Sequence, residues 1–318
     1  MHFPNLIYLL AGFVVLLLSG EFLVRGGVCL AKNFKISTLV VGVTVVSLGT
    51  SAPELVVSVK AVITDHPAIS IGTVIGSNIS NIALVLGLMA MISPISVNSK
   101  SVKIDWPIMM CATVLFYLLI LNSKLQFIEG LIFVTLLAGF MVWSIQRSRH
   151  ENIELGIKFE KPRYPVMVSL VLIVISSTGL VIGANWLVKG ASGIALALGV
   201  SEHAISVSVI ALGTSIPEVA TSVVAALRKE TDILVGNIMG SNIFNILGIL
   251  GVTSLVRTIP IEESVLKFDI FWVLGISLLL FFFILPLNGG RIDRWKGVVL
   301  LLIYSLYIYL VLKVKGTI

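Results

Sequence analysis

Charge is what this chain lacks most. Asp, Glu, Lys and Arg make up 12% of its 318 residues while 57% are hydrophobic, and a soluble domain carries about a quarter charged residues. An ordinary water-soluble fold is thereby excluded. Histidine and cysteine are nearly absent as well. Four His occur and none lies mid-span beside the chain's polar motifs, so a soft Zn²⁺ or Cu⁺ site is not expected. Cys29 and Cys111 sit in or beside apolar runs at no metal-like spacing and read as packing residues. The chain has no H-E-x-x-H helix and no G-x-x-x-x-G-K-[ST] phosphate loop, and the serines near Glu54 lack a neighbouring His or Lys base. These absences argue against an intramembrane enzyme and against a pump with an ATP site of that type.

What is present is a series of apolar runs, each roughly 17 to 25 residues long, the length an α-helix needs to cross about 30 Å of hydrocarbon. They predict an all-α polytopic membrane protein with ten transmembrane helices at 5–24, 38–63, 69–92, 106–122, 126–146, 165–187, 202–226, 233–256, 268–286 and 295–312. A β-barrel, built of short alternating strands, would not read this way. Fifteen Lys and Arg fall in loops after odd-numbered spans and seven on the other side. The excess marks the cytoplasmic face, which predicts a multi-pass protein of the cell (inner) membrane with both termini outside the cytoplasm. The net charge of +6 is mostly this bias, so no nucleic-acid partner is expected. The first span lacks a preceding cationic region and an A-x-A-like end, and is expected to be retained.

The chain is also a duplication. Adding 164 to positions over much of 12–90 lands on their counterparts: Glu54 on Glu218, Gly72 on Gly236, Gly76 on Gly240, Ser77 on Ser241, Asn78 on Asn242 and Asn81 on Asn245. Five spans per copy, an odd number, would insert the second copy upside down, the inverted-repeat plan of many secondary transporters. The expected organisation is a first five-helix repeat (1–146), a cytoplasmic linker (147–164) and a second five-helix repeat (165–318).

Each copy carries two polar motifs. The first is Ser47-Leu48-Gly49-Thr50-Ser51-Ala52-Pro53-Glu54, repeated as Ala211-Leu212-Gly213-Thr214-Ser215-Ile216-Pro217-Glu218. Proline removes an N–H and clashes with the preceding turn, so the carbonyls of Gly49 and Gly213 lose their helical partners, and a bound cation is one replacement. A simple kink relieved by nearby hydroxyls is the other. Glu54 and Glu218 fit an S-x-x-E capping box, yet Gln could serve there without placing an ionisable group at membrane depth. Intramembrane carboxylates are functional by default, so both are expected to be cation ligands.

The second motif is Gly76-Ser77-Asn78-Ile79-Ser80-Asn81, repeated as Gly240-Ser241-Asn242-Ile243-Phe244-Asn245. Positions i and i+4 share a helical face, so Ser77 with Asn81 and Ser241 with Asn245 can turn toward one cation. Asn78 and Asn242 read instead as interhelical hydrogen-bonding residues, and the Gly72/Gly76 and Gly236/Gly240 pairs suggest close backbone approach. Carboxylate, amide, hydroxyl and carbonyl oxygens form an all-oxygen set suited to hard cations such as Ca²⁺ and Na⁺. Two ionised Glu balance one Ca²⁺ or two Na⁺, and leaving both empty in a low-dielectric centre is costly, a physical basis for obligatory exchange.

These residues resemble the α-repeats of the calcium:cation antiporter superfamily, specifically the small prokaryotic sodium/calcium exchangers. The resemblance implies a rigid core of motif-bearing helices across which the first and sixth spans slide. It implies Glu54 and Glu218 as central shared ligands. Thr50, Ser51, Thr214 and Ser215 would add hydroxyl or backbone oxygens, Ser47 and Ala211 main-chain carbonyls, and Ser77 and Ser241 flanking Na⁺ sites. Asn81 and Asn245 would line the middle; some relatives carry Asp at the position of Asn245. The expected function is secondary antiport of Na⁺ against Ca²⁺ at a midplane site, with no cofactor and with inorganic cations and the lipid bilayer as partners. Ca²⁺/H⁺ exchange and K⁺-dependent exchange on the same fold are the alternatives, and a channel would require a continuous pore. No oligomeric state follows from the sequence.

Overall fold

The computed structural model describes residues 3–157, 159–198, 213–285 and 290–314. The chain is a polytopic, almost wholly helical membrane protein. Its helices are α1 Phe3–Phe34, α2 Thr38–Thr50, α3 Ala52–Ile63, α4 Pro67–Ile92, α5 Ser101–Leu119, α6 Phe127–Glu154, α7 Val166–Ala197, α8 Ile216–Leu227, α9 Thr231–Val256, α10 Val265–Ile284 and α11 Arg294–Val314. Among the described residues, eight helices are long and apolar enough to cross a membrane, and the bent pair α2–α3 makes a ninth. Helix α8 is shorter, and the residues 202–212 expected to begin its span lie outside the described residues.

Several helices outrun the apolar runs that predicted them. Helix α1 continues past residue 24 to Phe34, because Arg25 is itself a good helix former and pairs with Glu21 one turn earlier. Helix α6 likewise runs into the expected linker as far as Glu154, supported by the Arg147–Glu151 pair at 2.8 Å. Only part of 147–164 is therefore non-helical. The turn after α3 and the turn after α8 repeat one another: Asp65 and its counterpart Lys229 both adopt left-handed φ, 63° and 61°. In each, the next residue's N–H closes on a carbonyl five residues back, His66 on Ala61 and Glu230 on Ala225.

Two compact units arise from packing, and neither coincides with a sequence half. One comprises 1–53 and 143–237, the other 54–142 and 238–318. In the first, α1 and α7 pack along their length and are repeat counterparts of one another. A Cβ on Gly26 would meet Ile173 at 3.1 Å, near one end of α7, while one on Gly183 would meet Leu16 at 3.0 Å. Rising numbers on α1 face falling numbers on α7, so the two counterparts run antiparallel. The contact of Gly26 with Ile173 has its repeat mate in Gly190 against Leu9. Helix α8 packs on α1.

In the second unit the halves interlock. A Cβ on Gly87 of α4 would meet Leu300 of α11 at 3.1 Å, and one on its counterpart Gly251 of α9 would meet Phe133 of α6 at 3.2 Å. The last helix of each half thus packs on the motif-bearing helix of the other. Two small antiparallel ribbons follow the same exchange, β1 (Ile95–Ser96) with β4 (Arg291–Ile292) and β2 (Lys124–Leu125) with β3 (Ile259–Pro260). Burial sorts the helices: the most apolar stretch of α9 is 100% buried and that of α4 72%, against 28% for α1 and α7. Helices α4 and α9 are the most enclosed, and α1 and α7 present Leu, Val and other large apolar side chains outward.

Candidate cation site

The break expected at Pro53 is present. Helices α2 and α3 meet at Ser51 with a bend of 46°, and in the second copy Ser215 precedes α8 with Pro217 in its first turn. The capping-box alternative does not form as a side-chain cap at Ser215. Ser51 spends its hydroxyl differently: Ser51 Oγ donates to Glu218 Oε1 at 3.3 Å. A serine of the first motif thus meets the carboxylate of the second within one unit.

Around that contact the first unit places further oxygens. Thr50 Oγ1 donates to Asn237 Oδ1 at 3.0 Å and to the Ser47 carbonyl at 3.3 Å. Ser47 turns its own hydroxyl back on the Val43 carbonyl at 2.6 Å, and its carbonyl accepts the Ser51 N–H at 3.0 Å. Glu218 is 1% exposed, and its Oε2 accepts no hydrogen bond among the described residues. Ser215 is buried and Thr214 half-buried. Ala211 lies outside the described residues. The chain reaches this arrangement because α2 and α9 touch backbone to backbone. A Cβ at Gly236 would come within 2.6 Å of the Leu39 carbonyl, and one at Gly42 within 2.9 Å of the Ile233 carbonyl, so only glycine fits.

In the second unit Glu54, fully buried, accepts from Ser77 Oγ at 3.5 Å. One turn on, Asn81 is 1% exposed and neither atom of its amide finds a partner among the described residues. Its counterpart Asn245 donates through Nδ2 to Asn78 Oδ1 at 3.0 Å, leaving Oδ1 without a donor there. Asn78 also donates to the Asn242 carbonyl at 3.3 Å, and Asn242 to the Ile238 carbonyl at 2.8 Å. Asn78 therefore ties α4 to α9 through Asn245 and the Asn242 carbonyl, while the Asn242 amide bonds within its own helix and its Oδ1, like those of Asn81 and Asn245, has no donor among the described residues. Ser241 is buried. Close approach at Gly72 and Gly76 is not seen: among the described residues nothing lies within 4 Å of a Cβ built at either, and the counterparts of α2, near 206, fall outside them.

The backbone at the second motif departs from an ordinary α-helix. Asn81–Leu86 and Phe244–Leu250 are π-helical, as is Gly42–Val46 ahead of the first break. A π turn inserts an extra residue per turn and rotates the rest of the helix about its axis, a feature frequent at functional sites. Residues beyond the motifs also belong to these surroundings. Asn237 carries the bond to Thr50, and Ser58 and Ser222, each one turn after a motif Glu, are fully buried with no hydroxyl partner among the described residues. Asn237 had a legible signal, a lone amide in an apolar run four residues before Ser241. The serines had none beyond their i+4 spacing from Glu54 and Glu218.

An acceptor-rich, buried set with one carboxylate per cluster suits a hard cation that is bound and released. Among the described residues no three of His, Cys, Asp and Glu gather as they would around a resident metal. Comparison with known proteins agrees with this chemistry. The sodium/calcium exchanger protein family matches residues 4–146 and 168–313, nearly the two sequence halves. Sodium/calcium exchanger MaX1 of Methanosarcina acetivorans is 30% identical over 96% of this chain and 97% of its own length. Inner membrane protein YrbG of Escherichia coli is 30% identical over 85% of this chain and 86% of its own length. Among solved structures, the sodium-calcium exchanger NCX_Mj soaked with Na⁺ and Sr²⁺ superposes with a TM-score of 0.82 at 34% identity, covering 97% of this chain and 99% of that one. The form soaked without Na⁺ and Ca²⁺ gives 0.83 at 33% identity, covering 98% and 100%. This chain belongs to the sodium/calcium exchanger protein family.

Proposed function

We propose that the protein is a secondary antiporter that exchanges Na⁺ for Ca²⁺, with Glu54 and Glu218 as its charged ligands. The observation that carries the reading is the hydrogen bond from Ser51 to Glu218, which joins the two copies of one motif across 167 residues of sequence. Glu218 Oε2, the Asn81 amide oxygen and Asn245 Oδ1 are buried acceptors that no described residue satisfies, and a dehydrated cation is the partner such oxygens stabilise. Thr50, Thr214, Ser51 and Ser215 would add oxygens beside the two Pro-Glu pairs, Ser77 and Ser241 beside the second motif, and Ser47 a main-chain carbonyl; the repeat assigns the same role to Ala211, outside the described residues. The sequence repeat suggests that the two carboxylates act on one ion midway through the bilayer, in a ten-helix inverted plan. The relatives' names and the NCX_Mj soaks with Na⁺ and Sr²⁺ support the choice of ions.

Alternating access follows from charge. With a cation bound, the carboxylates are neutralised and the loaded core can cross; unloaded, two buried charges oppose the passage. The site sits in the cell membrane, with both termini outside, by the distribution of Lys and Arg. Radiolabelled-calcium uptake into Na⁺-loaded proteoliposomes tests the function. Uptake driven by an outward Na⁺ gradient and unaffected by K⁺ or an imposed pH gradient is expected; uptake driven by pH alone would replace Na⁺ with H⁺ as the counter-ion.

A further inference from the structure

The first unit holds a second polar feature, formed by residues outside the motifs. A cavity of about 390 Å³ opens between the C-terminal half of α1, the linker and the turn joining α8 to α9. Its lining includes five cations: Arg25 and Lys32 from α1, Lys161 and Arg163 from the linker, and Arg228 from the turn. Carboxylates only partly offset them. Glu21 holds Arg25 at 2.5 Å and also pairs with Arg228, and Glu160 accepts from Lys32 at 2.7 Å. Glu230 lines the cavity half-buried, and burial pushes its carboxyl up toward the neutral form. Lys161 and Arg163 are exposed and have no acidic partner among the described residues; the Arg163 guanidinium rests 5.5 Å over the Tyr164 ring. Three acids against five bases leave an excess of positive charge focused in a concave site.

The three segments that meet here follow the first, fifth and seventh apolar runs. By the distribution of Lys and Arg all three belong to the cytoplasmic side, where the membrane surface carries anionic lipid. The inner wall is apolar, formed by Val24, Val28 and Cys29 of α1, a helix whose other faces carry exposed Phe13, Val14 and Leu18. Forked guanidinium and ammonium donors beside an apolar wall match a phosphate attached to something greasy or, failing that, phosphate alone. We propose that this cavity binds a phosphate-bearing anion, the headgroup of an anionic phospholipid or a free phosphate, with Lys161 and Arg163 as its uncommitted ligands.

Native mass spectrometry of the full-length, detergent-solubilised protein tests this without reference to transport. It would be titrated with dioleoylphosphatidic acid, with dioleoylphosphatidylcholine as the zwitterionic control, and separately with inorganic pyrophosphate. One phosphatidic acid per chain should be retained in preference to phosphatidylcholine. The K161Q/R163Q double variant should weaken that binding about 10- to 30-fold, as loss of two interfacial cations implies. Both residues are exposed, so the variant should keep its fold, and K124Q/K313Q, which removes two charges elsewhere, should bind as the parent does. Pyrophosphate binding with the same dependence and no lipid preference would assign the site to free phosphate. Equal retention of both lipids with no pyrophosphate binding, or equal losses in the two double variants, would overturn the proposal.

Discussion

Glu218 and Glu54 stand at equivalent places in the duplication, yet their neighbourhoods are built differently. Glu218 receives the hydroxyl of Ser51 from the other half, and beside it Thr50 is tied to Asn237. Along the helix leading away from Glu218, Ala220, Thr221, Ser222, Val224 and Ala225 are buried, Thr221 fully. Glu54 accepts from Ser77 among other interactions. Its own helix turns outward: Val57, the counterpart of Thr221, is 40% exposed, and Val56 is 66% exposed. At 237 the second half has Asn where the first has Thr73, which is half-buried. Duplication supplied the same carboxylate and the same proline twice, and later substitution gave each copy its own surroundings. The two acids are therefore expected to be equally indispensable, and their neighbours unequally important.

The largest effect tests the shared part. Glu54→Gln and Glu218→Gln should each reduce Na⁺-driven Ca²⁺ uptake by at least about 100-fold, because each removes a full charge from a divalent ion in a weakly screened site. Size-exclusion profiles should remain those of the parent. Robust uptake by either variant would break the equivalence of the two halves.

Stability tests the close packing at Gly236. Gly236→Ala forces a Cβ against the Leu39 carbonyl and should lower thermal stability in detergent by about 1 to 3 kcal/mol. Gly139→Ala, with nothing within 4 Å among the described residues, should be neutral or gain up to about 1 kcal/mol from helix propensity. A reversal of that order would remove the argument for backbone contact between α2 and α9.

A smaller difference should separate Asn237 from Thr73. Asn237→Ala removes one of the acceptors of the Thr50 hydroxyl and should cost about 0.5 to 1.5 kcal/mol, whereas Thr73→Ala should cost less. Denaturation midpoints of the two variants side by side decide this. The smallest effect concerns an exposed pair. The hydrogen bond and charge of Lys32 hold the Glu160 carboxyl below its ordinary range. A depressed carboxylate stabilises the fold above its unfolded pKa and ceases to do so as pH falls through the lowered value. Lys32→Gln should return the Glu160 titration to the ordinary carboxylate range, measurable by NMR on a labelled side chain, with little change in stability near neutral pH.

Much of this was legible in the chain. Pro53 announced the break between α2 and α3, since a missing N–H cannot be hidden in a membrane helix. The constant offset announced that whatever surrounds one glutamate has a relative near the other. The lengths of α1 and α6 were not legible from hydropathy, because amphipathic turns with Glu21–Arg25 and Arg147–Glu151 pairs extend a helix past its apolar stretch. Nor were the π turns at Asn81 and Phe244: they add one residue to a turn without changing the residue types that compose it.

The sequence by itself determined that the protein crosses a membrane as helices, that it is a duplication, and that its polar motifs offer oxygen rather than sulfur or imidazole groups. Those are properties of residue type and spacing, read over a few turns at a time. Tertiary structure decided the partnerships. That Ser51 serves Glu218, that Thr50 leans on Asn237 and that Asn78 joins Asn245 are contacts between residues 167 or more positions apart. No local preference encodes them. They exist because apolar helices must bury their small-residue faces against one another, and the hydrogen bonds close between whichever polar groups that packing brings within reach.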